Sequence, residues 1–115
     1  MAFLIGEACV DVMDRSCIKV CPVDCIYVGS RKLYINPVEC IGCAACEPEC
    51  PVQAIYIDDD VPAEEQWHIA DNADFFTTVL PGEQRPVGNP GGSRNTGPIG
   101  VDTPRISGLP VKDVT

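Results

Sequence analysis

Short apolar stretches punctuated by turn residues run through the first sixty positions, and each is too brief for a helix. Phe3 to Ile5 reads as a first strand and Cys25 to Val28 as a second. After the turn signal Gly29-Ser30, Lys32-Leu33-Tyr34-Ile35 alternates as the return strand of a hairpin should. Ala54 to Ile57 is the fourth strand. A helical turn ended by Pro22 precedes the second strand, and another ended by Pro51 precedes the fourth, so the predicted order is βαββαβ, in the α+β class. The module reads as pseudo-symmetric. Cys17, Cys21, Pro22, Val23, Ile26 and Tyr27 recur as Cys46, Cys50, Pro51, Val52, Ile55 and Tyr56 at a constant offset of 29 residues. Tyr27 and Tyr56 are expected as core residues, with no radical role.

After Asp58-Asp59-Asp60 the apolar period becomes helical. A C-terminal helix is predicted from Pro62 to Leu80, with Asp60 as its cap and Glu64 and Glu65 complementing its dipole. Ile69, Ala73, Phe76 and Leu80 form the expected buried stripe, widened by Phe75 and Val79, and Pro81-Gly82 ends it. His68, the only histidine, reads as a solvated or packing residue on a surface helix, and its neighbour Trp67 as a cap on the stripe. From Pro81 onward Gly and Pro exceed a third of the residues, which predicts loop or wrapping tail rather than regular structure. Ile99, Val101, Ile106, Leu109 and Val111 are its candidate anchors. The chain thus divides into a module over 1–60, a helix packed on it over 61–80 and an extended Gly/Pro-rich tail over 81–115.

Composition changes the picture at one residue type: eight of 115 residues are cysteine, all before residue 51. A disulfide framework belongs to secreted proteins. Here the start has no basic segment and only the short apolar run Ala2 to Ile5 before Cys9, so no export signal is read. No apolar run approaches the ~20 residues of a membrane span. The expectation is a cytoplasmic protein with reduced thiols, and with no membrane association. A net charge of −9 argues against nucleic acid as a partner and favours a basic protein surface. Glu7, Asp11, Glu39, Glu47, Glu49 and Asp58 to Asp60 are the acids expected on that docking face.

The spacing Cys40-x2-Cys43-x2-Cys46-x3-Cys50-Pro51 lets three thiolates on one loop wrap a [4Fe–4S] cluster, while the fourth projects to a second site. The first copy ends alike in Cys17-x3-Cys21-Pro22, but its entry is Cys9-x7-Cys17, one cysteine short. Crossing the fourth cysteines groups Cys21, Cys40, Cys43 and Cys46 round a complete cluster. Cys9, Cys17 and Cys50 remain, and three thiolates suit a [3Fe–4S] cluster. Counting into the gap from Cys9 lands on Val12, which cannot bind iron, and counting back from Cys17 lands on Asp14. Asp14 is the candidate labile ligand for a fourth iron, weak because its oxygen is harder than thiolate; its alternative is a solvated loop acid. Cys25 is the non-ligand cysteine, since its repeat counterpart is Ala54 and a packing thiol needs no more.

Residues 1 to about 80 resemble a bacterial seven-iron ferredoxin of the [3Fe–4S][4Fe–4S] dicluster type. The carrying motifs are Cys-x7-Cys-x3-Cys-Pro-Val-Asp-Cys-Ile-Tyr and Cys-x2-Cys-x2-Cys-x3-Cys-Pro-Val-x-Ala-Ile-Tyr. The resemblance implies the ferredoxin-like fold, the ligand sets above and low-potential one-electron transfer by a monomer. It implies partners such as a ferredoxin reductase or a haem monooxygenase. Two other readings use the same cysteines: a redox sensor or electron-transfer subunit of a larger oxidoreductase, and a zinc protein with two all-cysteine sites. The tight triplet and the Cys25/Ala54 mismatch speak against zinc. No nucleophile, base or DNA-reading element supports an enzyme or a sensor.

Overall fold

In a computed structural model of the chain, residues 3–13, 15–42, 45–51 and 53–110 are described. All four strands form, each of three residues: β1 (Phe3–Ile5), β2 (Ile26–Val28), β3 (Leu33–Ile35) and β4 (Ile55–Ile57). They pair as two antiparallel ribbons. β1 lies against β4 with Leu4 opposite Tyr56, and β2 against β3 with Tyr27 opposite Tyr34. Ribbons this small are unstable alone and need a covered face.

The first helical turn is α1 (Ser16–Val20). Its counterpart in the second copy, Glu47–Glu49, is a single 3-10 turn instead of an α-helix. Pro48 explains the difference, because it has no N–H to donate and its ring crowds the preceding turn. The class is α+β, compatible with a ferredoxin-like fold.

Alternation along the strands divides the interior in two. Phe3, Ile5, Ile26, Leu33, Ile35 and Ile55 face a cluster of buried residues that includes Cys9, Cys17, Cys25 and Cys46. Tyr27 and Tyr34 face the other way, packing with Val10, Phe75, Phe76, Leu80 and Ile106. Tyr34 stacks on Phe75 at 3.9 Å between ring centres, and Tyr27 meets Phe76 edge-on at 5.1 Å. Tyr56, by contrast, is only half-buried and donates to Glu65 Oε2 at 3.2 Å.

The C-terminal helix is shorter than predicted, and of its expected stripe Phe75, Phe76 and Leu80 are buried. Ala63–Glu65 makes a separate 3-10 turn, and the helix α2 runs over Trp67–Thr77. Asp60 does not cap it: that residue closes another 3-10 turn, Asp58–Asp60, and α2 has no side-chain cap. At the far end Thr77 and Thr78 donate their hydroxyls to the carbonyls of Ala73 and Asp74, and Thr78 turns extended. The buried face is His68, Asp71, Asn72, Phe75 and Phe76, whereas Ile69 and Val79 are exposed at 38 % and 53 %. Burial therefore follows hydrogen bonding as well as hydropathy. Asn72 accepts from Ile35 N–H at 3.1 Å and donates back to Ile35 C=O, closing the open edge of β3. His68 is fully buried, stacked on Trp67 at 3.7 Å, and Arg105 lies 4.0 Å over the indole.

The tail carries more regular structure than its composition predicts: a 3-10 turn at Ser93–Asn95 and the helix α3 (Pro104–Ser107), capped by the Thr103 hydroxyl. Ile106 is fully buried, and Ile99, Val101 and Leu109 pack beside it; Val111 lies outside the described residues. Arg31 binds the segment down, donating to the carbonyls of Ile106, Leu109 and Pro110. Ile99 and Gly100 donate to Val28 C=O, and Ser93 N–H donates to Asp24 C=O. Among the described residues no helix is long and apolar enough to cross a membrane.

Candidate metal centre

The described cysteines stand in or beside short turns and helical segments. Cys9 closes the 3-10 turn Glu7–Cys9, Cys17 sits on α1, and Cys21 follows it in extended conformation. Cys46 and Cys50 flank the turn Glu47–Glu49. Cys40 follows β3, its N–H donating to Asn36 C=O at 3.0 Å. Cys43 and Asp14 lie outside the described residues.

The same local geometry appears twice, 29 residues apart. Cys25 N–H points at Cys21 Sγ at 3.4 Å, and Ala54 N–H at Cys50 Sγ at 3.4 Å. Asp24 and Gln53, the residues before, both take left-handed backbone with φ of 56° and 54°. Their N–H groups donate to the carbonyls of Cys21 and Cys50 at 3.3 and 3.2 Å. In each copy the turn aims an amide at a sulfur, a favourable arrangement for an anionic thiolate.

The described cysteines gather in one buried cluster. Cys21, Cys40 and Cys46 line one small cavity with Cys25 and the apolar side chains of Phe3, Ile26 and Ile35. Charge on Cys50 acts on Cys9, and charge on Cys9, Cys46 and Cys50 acts on Cys17. Burial pushes the Cys17 thiol up to about 12, and charge on Cys9, Cys46 and Cys50 adds to the effect. Burial also raises Cys9, opposed by a hydrogen bond from the Leu33 backbone and by Lys32. Cys25 is fully buried, raised by burial and then by Cys21, whose sulfur is 3.5 Å away.

The donor set and its setting fit iron–sulfur clusters. Soft thiolate ligands in an apolar pocket suit such clusters. On the opposite face of the hairpin Lys32 Nζ, over the Tyr34 ring, has no solvent exposure and no hydrogen-bond partner. Sequence reasoning missed that Lys32 would be fully buried, although the strand alternation already placed it on the face of Tyr34. Of the expected docking acids, Glu7, Glu47, Glu49, Asp59 and Asp60 are exposed. Two are engaged inside the protein. Asp11 pairs with Arg31 at 2.7 Å, and Glu39 accepts from Tyr27 O–H and Gly91 N–H at 2.6 Å each.

Comparison with known proteins matches residues 33–56 to the family model described as 4Fe-4S binding domain. A ferredoxin of Mycobacterium tuberculosis (strain ATCC 25618 / H37Rv) is 56 % identical over 112 residues, covering 97 % of this chain and 98 % of its own. A ferredoxin of Saccharopolyspora erythraea is 49 % identical over 110 residues, 96 % of both chains. A protein of Hydrogenibacillus schlegelii named "Ferredoxin 7Fe" is 53 % identical over 76 residues, 66 % of this chain and 97 % of its own.

Proposed function

The chain belongs to the ferredoxins, iron–sulfur electron carriers, and from that premise we propose that it is a seven-iron, low-potential carrier passing one electron at a time between redox proteins. In this reading Cys9, Cys17 and Cys50 hold a [3Fe–4S] cluster and Cys21, Cys40, Cys43 and Cys46 a [4Fe–4S] cluster, with Cys25 unligated. The cavity that Cys21, Cys40 and Cys46 line together, with neither Cys9, Cys17 nor Cys50 on it, supports the assignment. The clusters supply one-electron storage; the chain's residues hold them, exclude water and aim amides at their sulfur ligands.

The paired turns 29 residues apart support a pseudo-symmetric dicluster module over 1–60, with the helix over 61–80 and the tail over 81–115 wrapped on it. The proposed setting is the cytoplasm, as a monomer. A groove of about 450 Å3 beside Cys50, lined by Glu47, Gln53, Tyr56 and Asp60, supports an acidic docking face. Its partner is a redox protein with a basic face, of the ferredoxin reductase or haem monooxygenase kind. Asp14 is proposed as the labile fourth-iron ligand of the three-thiolate site. Iron counting with electron paramagnetic resonance on protein purified without air tests the reading: seven irons per chain and an oxidised [3Fe–4S] signal are expected. Eight irons held firmly after purification in air would overturn the three-iron assignment.

A further inference from the structure

We propose that Asn36 is a positioning residue for Cys40, and that through it the tail segment 88–94 straps down the site of Cys21, Cys40, Cys43 and Cys46. The inference rests on the ligand reading above and adds the residues that hold one cluster's ligand loop in place.

Asn36 directly follows β3 and is fully buried. Its backbone N–H donates to Cys25 C=O at 2.8 Å, and its C=O accepts Cys40 N–H at 3.0 Å. Its side-chain oxygen accepts from Val38 N–H at 2.9 Å and Glu39 N–H at 3.3 Å, the self-bonding that makes asparagine a turn former. One residue thereby shapes the run from β3 to Cys40 and ties it to the turn that carries Cys21 and Cys25. Apolar burial does little for this loop, because Val38 and Ile41 are exposed at 72 % and 62 %. The amide nitrogen of Asn36 faces the tail, donating to Gly88 C=O at 3.1 Å and Asn89 Oδ1 at 3.0 Å. Its partners fix the orientation: two N–H donors meet the oxygen, and a carbonyl meets the nitrogen.

From there the tail crosses both ligand segments. Gly88 N–H donates to Phe76 C=O at 2.8 Å, which anchors the strap to α2. Gly91 N–H donates to Glu39 Oε2 at 2.6 Å and Gly92 N–H to Tyr27 Oη at 3.2 Å, while that hydroxyl donates to Glu39 Oε1 at 2.6 Å. Both glycines have positive φ, 86° and 132°, which a residue without Cβ adopts freely. Ser93 N–H donates to Asp24 C=O at 2.8 Å, and the Asp24 carboxylate accepts from Ser93 Oγ and Arg94 N–H at 2.8 and 2.7 Å. Asp24 and Tyr27 follow Cys21, and Asn36 and Glu39 precede Cys40. Cys21 and Cys40 line the same cavity, so the strap spans the two chain segments whose sulfurs meet there. A ligand loop already held in shape loses less conformational entropy when it closes on iron, and opens less often afterwards.

The test is iron loss to a ferrous chelator from the cluster-loaded full chain, purified without air, comparing wild type with Asn36→Ala. Electron paramagnetic resonance follows the clusters separately, the [3Fe–4S] cluster oxidised and the [4Fe–4S] cluster after reduction. The [4Fe–4S] cluster should be lost about tenfold faster, equivalent to about 1.4 kcal/mol. The [3Fe–4S] cluster should stay within about twofold of its wild-type rate, whereas a general loosening of the fold would speed both. The reduced [4Fe–4S] signal should also change shape while the [3Fe–4S] signal keeps its own. Asn36→Ser retains a weaker turn-forming hydroxyl and should fall between the two rates; it carries the same comparison if the Ala variant does not take up iron. Tyr27→Phe removes the hydroxyl that joins Glu39 to Gly92, keeps the ring against Phe76, and should speed loss of the [4Fe–4S] cluster about threefold. Seven irons with an unmoved [4Fe–4S] rate on substitution of Asn36, or equal acceleration of both clusters, would overturn the role of Asn36. An unmoved rate in Tyr27→Phe would overturn the strap. A wild-type iron count other than seven would strike the ligand reading instead.

Discussion

Asn72 offers the sharpest perturbation of the fold beneath the clusters. Its carboxamide bridges both backbone groups of Ile35, accepting at 3.1 Å and donating at 2.5 Å, with Asn72 2 % and Ile35 1 % exposed. In Asn72→Ala, Ile35 N–H and C=O stay buried and lose both partners, and an unsatisfied buried group costs about 1–3 kcal/mol. Some relaxation lets water reach one of them, so the expected loss is ~3 kcal/mol, a large fraction of the 5–15 kcal/mol typical of a domain. At about 1.4 kcal/mol per factor of ten, opening of β3 should become roughly a hundredfold more populated. Amide hydrogen exchange of the cluster-loaded protein, read by mass spectrometry on the segment holding Ile35, measures this directly. Protection unchanged within threefold would refute the view that α2 is held to β3 through Asn72.

Three further outcomes follow from the site and the tail. Cys25→Ala should leave iron content and both cluster spectra unchanged, although Cys25 lines the cavity with Cys21; loss of one cluster's iron would make it a ligand. With Cys17 raised to about 12 and Cys9 also raised, these thiols are protonated at neutral pH in the metal-free chain and release protons when they ligate iron. Reconstitution should therefore weaken as pH falls from 8 to 6, by up to about tenfold per pH unit for each proton released, and stronger assembly at pH 6 would contradict it. Ile106→Ala deletes a fully buried tail anchor and should cost about 2–5 kcal/mol. That loss should hasten the fading of cluster colour in air; a lifetime equal to wild type would show that the tail does not shield the module.

The strands, the hairpin and the cysteine pattern were legible in the chain because each depends on residues close in sequence. A period of two needs only neighbours, and the expectation that three thiolates on one loop share a centre rests on spacing alone. The 29-residue repeat extends that local information to the paired turns at Cys21 and Cys50. What the chain did not reveal was which polar residues would be buried. Hydropathy put Ile69 and Val79 on the inner face of the predicted helix, yet α2 turns inward His68, Asp71 and Asn72, the last of which meets the open edge of Ile35. Asp102 and Tyr34 meet across 68 positions, and Arg31 and Leu109 across 78. Such pairings arise only when the tail has folded back, so no local period announces them. Lys32 shows the same limit. Alternation placed it on the face of Tyr34, but only tertiary packing removed its water.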